Sequence, residues 1–457
     1  MPERFNVLSR LMLGFSDRNL PADYAELAAK GVRSVVIYGE NVESESQLEH
    51  LVSELRGALG PDAIIAIDEE GGDVTRVDYQ VGSRFAGNGW LGHLDDAALT
   101  RRDGEIVGAL LQRLGINLNF APVADVNTNP LNPVIGNRSF GTDQSGVARH
   151  IASFVEGHEA AGVGTTLKHF PGHGNVVSDS HLTLPKVPGG LADLENHHLE
   201  PFKSGVSAGA SAVMLAHLDL GDGQPTSLSA ALVTKLREEL RFEGLIVTDA
   251  LDMGAITQSM SIAQAAVYAV LAGNDLACLG PRTTSETIAE FLELWSEVPA
   301  EVREENQEAA SRRLQAFVDS RSHKHLVAGL VPSYDISFEI PADFQSAEVV
   351  RINSGTNPAV GEAPWFAGVH FDREIEPESL AHELAEAKTL IAITRGGELV
   401  WEALAQLTDP EAKRLLLIST DAPPKDYGCQ LIITYGSAQP QSLALSSALT
   451  RKESQIV

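Results

Sequence analysis

Leu245-Ile246-Val247-Thr248-Asp249 is a run of four β-favouring side chains that stops on an acid. Apolar residues in unbroken succession mark a strand buried on both faces, the kind found in a parallel sheet. Seven more runs of this character lie at 11–15, 32–38, 63–67, 117–123, 163–167, 212–216 and 275–279. Stretches of helical period separate them, among them 45–59, 99–114, 146–161, 230–240 and 261–271. Eight strands alternating with helices predict a (β/α)8 TIM barrel.

Beyond a charged helical stretch at 301–321, residues 323–335 lose periodicity and read as a linker. Apolar runs at 390–394, 415–420 and 431–434, with helical stretches at 400–406 and 441–451, predict a smaller doubly wound α/β sandwich. The expected division is a barrel over 1–325, then linker and second domain over 326–457. The 457 residues suit two such units.

Sixty-two acidic against 34 basic residues give a net charge of -28, which excludes a nucleic-acid backbone or an anionic membrane as the main partner. Cys278 and Cys429 are too far apart in sequence to suggest a disulfide framework, and a reducing compartment fits. Residues 1–20 lack the basic and continuous apolar regions of a signal peptide, and no apolar run reaches membrane-spanning length. A soluble cytoplasmic protein is expected.

Several strands end on groups that chemistry uses: Asp68, Asp125, Lys168 with His169, His217 and Asp249. In a barrel these ends share one face. A carboxylate delivered there, as Asp249 is, can attack an anomeric carbon and form a glycosyl-enzyme. If a helix opens at Ala250, Asp249 is instead its N-cap, and Asp252 is a competing acid.

The densest cluster is Lys168-His169-Phe170-Pro171-Gly172-His173-Gly174, followed after four residues by Asp179-Ser180-His181. Pro171, Gly172 and Gly174 rule out a helix, so His169 and His173 are not two rungs of a helical zinc site. In an extended loop Asp179 and His181 point to one side. The carboxylate can then fix the imidazole tautomer and leave the other nitrogen to give and take a proton. An incidental surface pair, and a loop metal site of His169, His173, Asp179 and His181, are the competing readings. In Ile67-Asp68-Glu69-Glu70-Gly71-Gly72-Asp73-Val74-Thr75-Arg76, Asp68 can hold sugar hydroxyls and Arg76 can reach back into a pocket. The turn-rich 132–141 segment presents Arg138 in the same way.

Taken together and in this order, these segments resemble the family 3 β-N-acetylglucosaminidases, over about residues 11–279. The resemblance implies retaining hydrolysis of terminal β-linked GlcNAc, with Asp249 as nucleophile and His181 as acid/base oriented by Asp179. It further implies a GlcNAc pocket of Asp68, Arg76, Arg138, Lys168 and His169, and a small saccharide substrate of the peptidoglycan-derived kind that the family acts on, with neither metal nor cofactor. The family usually shows Gln and Arg where this chain has Glu69 and Asp73. An added carboxylate beside the pocket is expected to disfavour an anionic aglycone by ~1 kcal/mol. Trp90 is expected to stack on a sugar or to pack. Phosphorolysis, a substrate-assisted route using an Asp68–Glu69 pair, and a non-catalytic sugar-binding role are the alternatives.

Overall fold

The computed structural model describes residues 6–321, 332–353, 359–361, 364–386 and 389–454. Its first part is the expected barrel. Strands β1 (Leu11–Leu13), β2 (Ser34–Ile37), β3 (Ile64–Ile67), β4 (Leu118–Asn119), β5 (Gly164–Phe170), β6 (Ala212–Leu215), β7 (Leu245–Thr248) and β8 (Ala277–Cys278) are all parallel. Their order is β7-β6-β5-β4-β3-β2-β1-β8, and a parallel bridge from Val247 to Leu276 closes the ring.

Alternation along each strand builds two layers. Met12, Val36, Ile64, Ala66 and Val247 point into the barrel, while Leu13, Val35, Ile37, Ile65 and Ile67 pack outward against helices. Leu314, Phe317 and Val318 of helix Ala300–Arg321 join the interior cluster. They fill the end where the strands begin: a Cβ on Gly164, the first residue of β5, would lie 2.8 Å from the Phe317 ring.

Two strands are shorter than the apolar runs that announced them. β4 stops at Asn119 because Pro122 has no N–H to continue the ladder. β8 starts only at Ala277, because the Asp275 carboxylate is occupied by Arg237, Arg313 and the Ile246 N–H, each within 2.8 Å. The predicted helix 230–240 divides into an α-helical turn, Ala230–Thr234, and a π-helical one, Lys235–Glu239.

The second sheet is β9 (Glu348–Ile352), β10 (Arg373–Ile375), β11 (Leu390–Thr394), β12 (Leu415–Ser419) and β13 (Gln430–Ile433), all parallel in the order β10-β9-β11-β12-β13. One face buries Ile391 and Ile418 against Leu445 and Leu449; the other buries Ala392 and Leu417 against Val400 and Trp401. This is a doubly wound arrangement. Most of the predicted 323–335 linker lies outside the described residues. Among the described residues no helix is long and apolar enough to cross a membrane.

Polar contacts dock the second sheet on the barrel's strand-end face. Asp73 accepts from Ser437 N at 2.8 Å and Ser437 Oγ at 2.7 Å, Asp421 accepts from Asn137 N at 3.0 Å, and His93 stacks on Tyr435 with centroids 4.1 Å apart.

Candidate active site

The C-terminal ends of the barrel strands open into a cavity of about 740 Å³. Asp68 follows β3, Lys168 and His169 lie near the C-terminal end of β5, Asp249 follows β7, and the loop after β5 brings in His181; all line the cavity together with Arg76 and Arg138. Asp179 stands directly behind His181.

One wall is a buried ion network. Lys168 Nζ donates to Asp68 at 2.7 Å and to Glu70 at 2.6 Å, and the Arg138 guanidinium grips Glu70 with two bonds of 2.9 and 2.8 Å. Burial works against the Glu70 charge, but Arg138 and Lys168 overcome it and hold the carboxyl far below its ordinary range. Glu70 thus orients both cations toward the pocket. The sequence reading did not single it out, since adjacent acids beside a Gly-Gly turn look alike until their partners are known.

Asp125, beyond the end of β4, orients its neighbours in the same way. It accepts from His169 Nδ1 and from the His173 backbone N–H, each at 2.7 Å. Burial raises the Asp125 pKa, but the neighbouring histidine and donated hydrogen bonds leave it lowered. A carboxylate can only accept, so His169 carries its proton on Nδ1 and turns Nε2 to the cavity.

Asp179 and His181 form the expected contact, Nδ1 to Oδ1 at 2.7 Å, and the same oxygen also accepts the His181 backbone N–H at 2.8 Å. Despite burial these bonds keep Asp179 below its usual pKa, so it is ionised and the exchangeable nitrogen of His181 is Nε2. Gly174 lets the loop pass here: a Cβ would sit 1.8 Å from Val126 O.

Asp249 follows β7 directly, its Oδ1 accepting the Ala250 N–H at 2.8 Å. Withdrawal from water raises its pKa, but His217, His169 and His181 together with that N–H bring it down to about 2. It is therefore an ionised carboxylate at any working pH. His217 is not in the cavity wall; it spans Ser227 Oγ at 2.7 Å and Ala250 O at 2.9 Å, which steadies the turn behind Asp249.

Several of the alternatives are narrowed. No helix opens at Ala250; the next one, Gly254–Thr257, is preceded by Met253, so Asp249 is not an N-cap. Asp252 is held by Arg282, Nε to Oδ2 at 3.1 Å, rather than standing as a second free acid. Arg76 lines the cavity, but its guanidinium also donates across the domain boundary to Ala359 O at 3.0 Å and Val360 O at 3.4 Å. Trp90 packs in helix Asn88–Leu94 and is not part of the cavity wall.

Asp73 does not face the pocket either: Ser437 and Asn137 occupy its oxygens at the domain interface. The expected repulsion of an anionic aglycone therefore has no source there. Glu69 points away from the cavity, one oxygen taking Thr75 Oγ1, Arg76 N and Val77 N at 2.9 to 3.0 Å, so it cannot pair with Asp68 in a substrate-assisted route.

Burial, helped by Asp78, lifts Glu69 to about 7. Because the folded value lies above the unfolded one near 4.5, the acid's contribution to stability is complete below that value and disappears as pH rises through 7. Glu69→Gln keeps the shape without the charge. Relative to the parent it is expected to gain stability between pH 5 and pH 8, by about 3 kcal/mol at most. Chemical denaturation at the two pH values checks this, and a pH-independent difference would contradict it.

Residues 13–316 match the glycosyl hydrolase family 3 N terminal domain. The chain is 36% identical over 278 residues to a beta-hexosaminidase of Idiomarina loihiensis, covering 59% of this chain and 83% of that protein. It is 34% identical over 290 residues to beta-hexosaminidase A of Pseudoalteromonas piscicida, covering 57% of this chain but spanning only 48% of that longer protein. Among solved structures, a glycoside hydrolase family 3 beta-N-acetylglucosaminidase from Paenibacillus sp. str. FPU-7 superposes with a TM-score of 0.81 at 27% identity, over 99% of this chain and 97% of the other.

Proposed function

The chain belongs to glycosyl hydrolase family 3, and on that premise we propose that it is a retaining exo-β-N-acetylglucosaminidase releasing terminal β-linked GlcNAc. The carrying observation is an ionised Asp249 in the same cavity as a histidine whose Nδ1 is fixed by a carboxylate.

In this reading His181 Nε2–H protonates the glycosidic oxygen while Asp249 attacks the anomeric carbon. The neutral imidazole then takes a proton from water, which cleaves the glycosyl-enzyme and restores both groups. Asp68, Lys168, Arg138, His169 and Arg76 hold the sugar, Lys168 and Arg138 pre-set by Glu70, Asp68 by Lys168 and His169 by Asp125. Catalytic groups come from 1–325, and 326–457 closes one side of the cavity through Ala359 and Gly361. We assign the source of GlcNAc to cell-wall-derived fragments in the cytoplasm; the unpaired Cys278 and Cys429 suit such a reducing compartment.

Product analysis on a chromogenic β-GlcNAc glycoside, with and without phosphate, tests the reaction. The expected product in both is GlcNAc, first formed as the β-anomer. Dominant GlcNAc-1-phosphate in the phosphate arm would make the enzyme a phosphorylase, and an initial α-anomer would exclude retention.

A further inference from the structure

His173 is buried in the cavity wall, yet no step above uses it. Its backbone is anchored outside the loop: N–H to Asp125 Oδ1 at 2.7 Å, and C=O accepting from Asn132 Nδ2 at 2.8 Å. Its ring meets His169 edge-on, with centroids 5.9 Å apart. Through Nε2 the ring bonds Ser180 Oγ at 3.1 Å, while Nδ1 has no partner among the described residues.

Ser180 is the residue between Asp179 and His181. Two main-chain bonds and one side-chain bond tie its far side to the 254–258 segment: Ala255 N to Ser180 O at 3.2 Å, Gly254 N to His181 O at 3.0 Å, and Gln258 Nε2 to Leu182 O at 2.6 Å. Those contacts hold the backbone of the returning limb from outside. The Ser180 hydroxyl ties it to the cavity wall. The outgoing limb is anchored separately, by Asn129 Nδ2 donating to Val176 O at 3.0 Å and by the buried Val176 side chain, whereas Val177 is 70% and Leu182 63% exposed.

We propose that His173 and Ser180 form a latch that sets where the Asp179–His181 pair stands over Asp249. Both are positioning residues, and the inference rests on His181 being the acid/base. Burial first, then the neighbouring His169, brings His173 down to about 4, so the ring is neutral and keeps one lone pair and one N–H. The bond to a hydroxyl is thus available in either tautomer. Loss of the latch displaces the proton donor and leaves the Asp68, Lys168 and Arg138 sugar contacts in place. The damage then depends on how much protonation the leaving group needs.

The test uses the full-length enzyme with Ser180→Ala, His173→Asn and Ser180→Thr. The readout is kcat/KM on GlcNAc β-linked to a 2,4-dinitrophenyl group and on GlcNAc β-linked to a second GlcNAc. Ser180→Ala and His173→Asn are expected to lose about 10- to 100-fold on the disaccharide but less than about 3-fold on the dinitrophenyl glycoside. Ser180→Thr, which keeps the hydroxyl, should recover most of the loss. An equal loss on both substrates, or none on either, overturns the latch. Should His173→Asn fail to fold, the Ser180 variants decide alone. His181→Ala is run in parallel: without the same leaving-group split the acid/base assignment is wrong and takes the latch with it, whereas a split in His181→Ala but not in Ser180→Ala rejects the latch alone.

Discussion

Asp249→Ala is expected to lower kcat on a chromogenic β-GlcNAc glycoside by about 10⁴-fold or more, with the fold intact by circular dichroism. The carboxylate sits at the end of a buried strand and, among the described residues, accepts one hydrogen bond, from the Ala250 N–H, so removing it disturbs little packing. In the proposed mechanism what disappears is the covalent intermediate, and with it the division of one displacement into two. With Asp249 ionised above about 2, an acidic limb in the pH–rate profile of the parent enzyme at pH 5 to 6 belongs to another group. Near-full activity in the variant would instead favour attack by the substrate's own acetamido oxygen. That route would have to find its supporting carboxylates elsewhere, because Glu69 is turned into the protein.

Glu70→Ala should destabilise the protein by about 3–5 kcal/mol and abolish measurable turnover together. The Glu70 side chain is 1% exposed, and the Lys168 and Arg138 side chains it joins are 2% and 6% exposed. Without the acid, two cations are left buried side by side with only Asp68 in bonding distance of Lys168. Glu70 is a group of depressed pKa, so its stabilisation is present above the unfolded carboxylate value and is lost as pH falls through and below it. The variant's deficit should therefore shrink in acid. Denaturation midpoints at pH 7 and pH 3.5, alongside activity, check both halves; a deficit below about 1 kcal/mol at pH 7 would show that the network is not what holds the wall.

Strands were most legible where apolar residues run without interruption. The runs at 245–248 and 390–394 coincide with β7 and β11 to the residue. β9 and β10 escaped the sequence reading because Glu348 and Arg351 interrupt one, while Arg373 and Glu374 make up most of the other. In the site the same contrast holds with distance along the chain. The Asp179–His181 contact spans two positions and follows from local geometry. Glu70 meets Arg138 from 68 residues away, Asp125 meets His169 from 44, and Arg76 reaches Ala359 over 283, separations at which periodicity carries no information. Asp73 differs from expectation for that reason: its neighbours in sequence lie near the pocket, its partner Ser437 in another domain.

The hold of Arg76 on the carbonyls of Ala359 and Val360 has a bearing on how such an enzyme can diversify. The proposed reacting groups and part of the enclosure around them lie more than a hundred residues apart in the chain and are joined through main-chain acceptors, while the Ala359 and Val360 side chains are themselves buried against Val134 and Val74. Reshaping that enclosure from the distal stretch therefore requires replacements at 359 and 360 that keep an apolar fit to the barrel, and libraries aimed at new acceptors start from small apolar residues there.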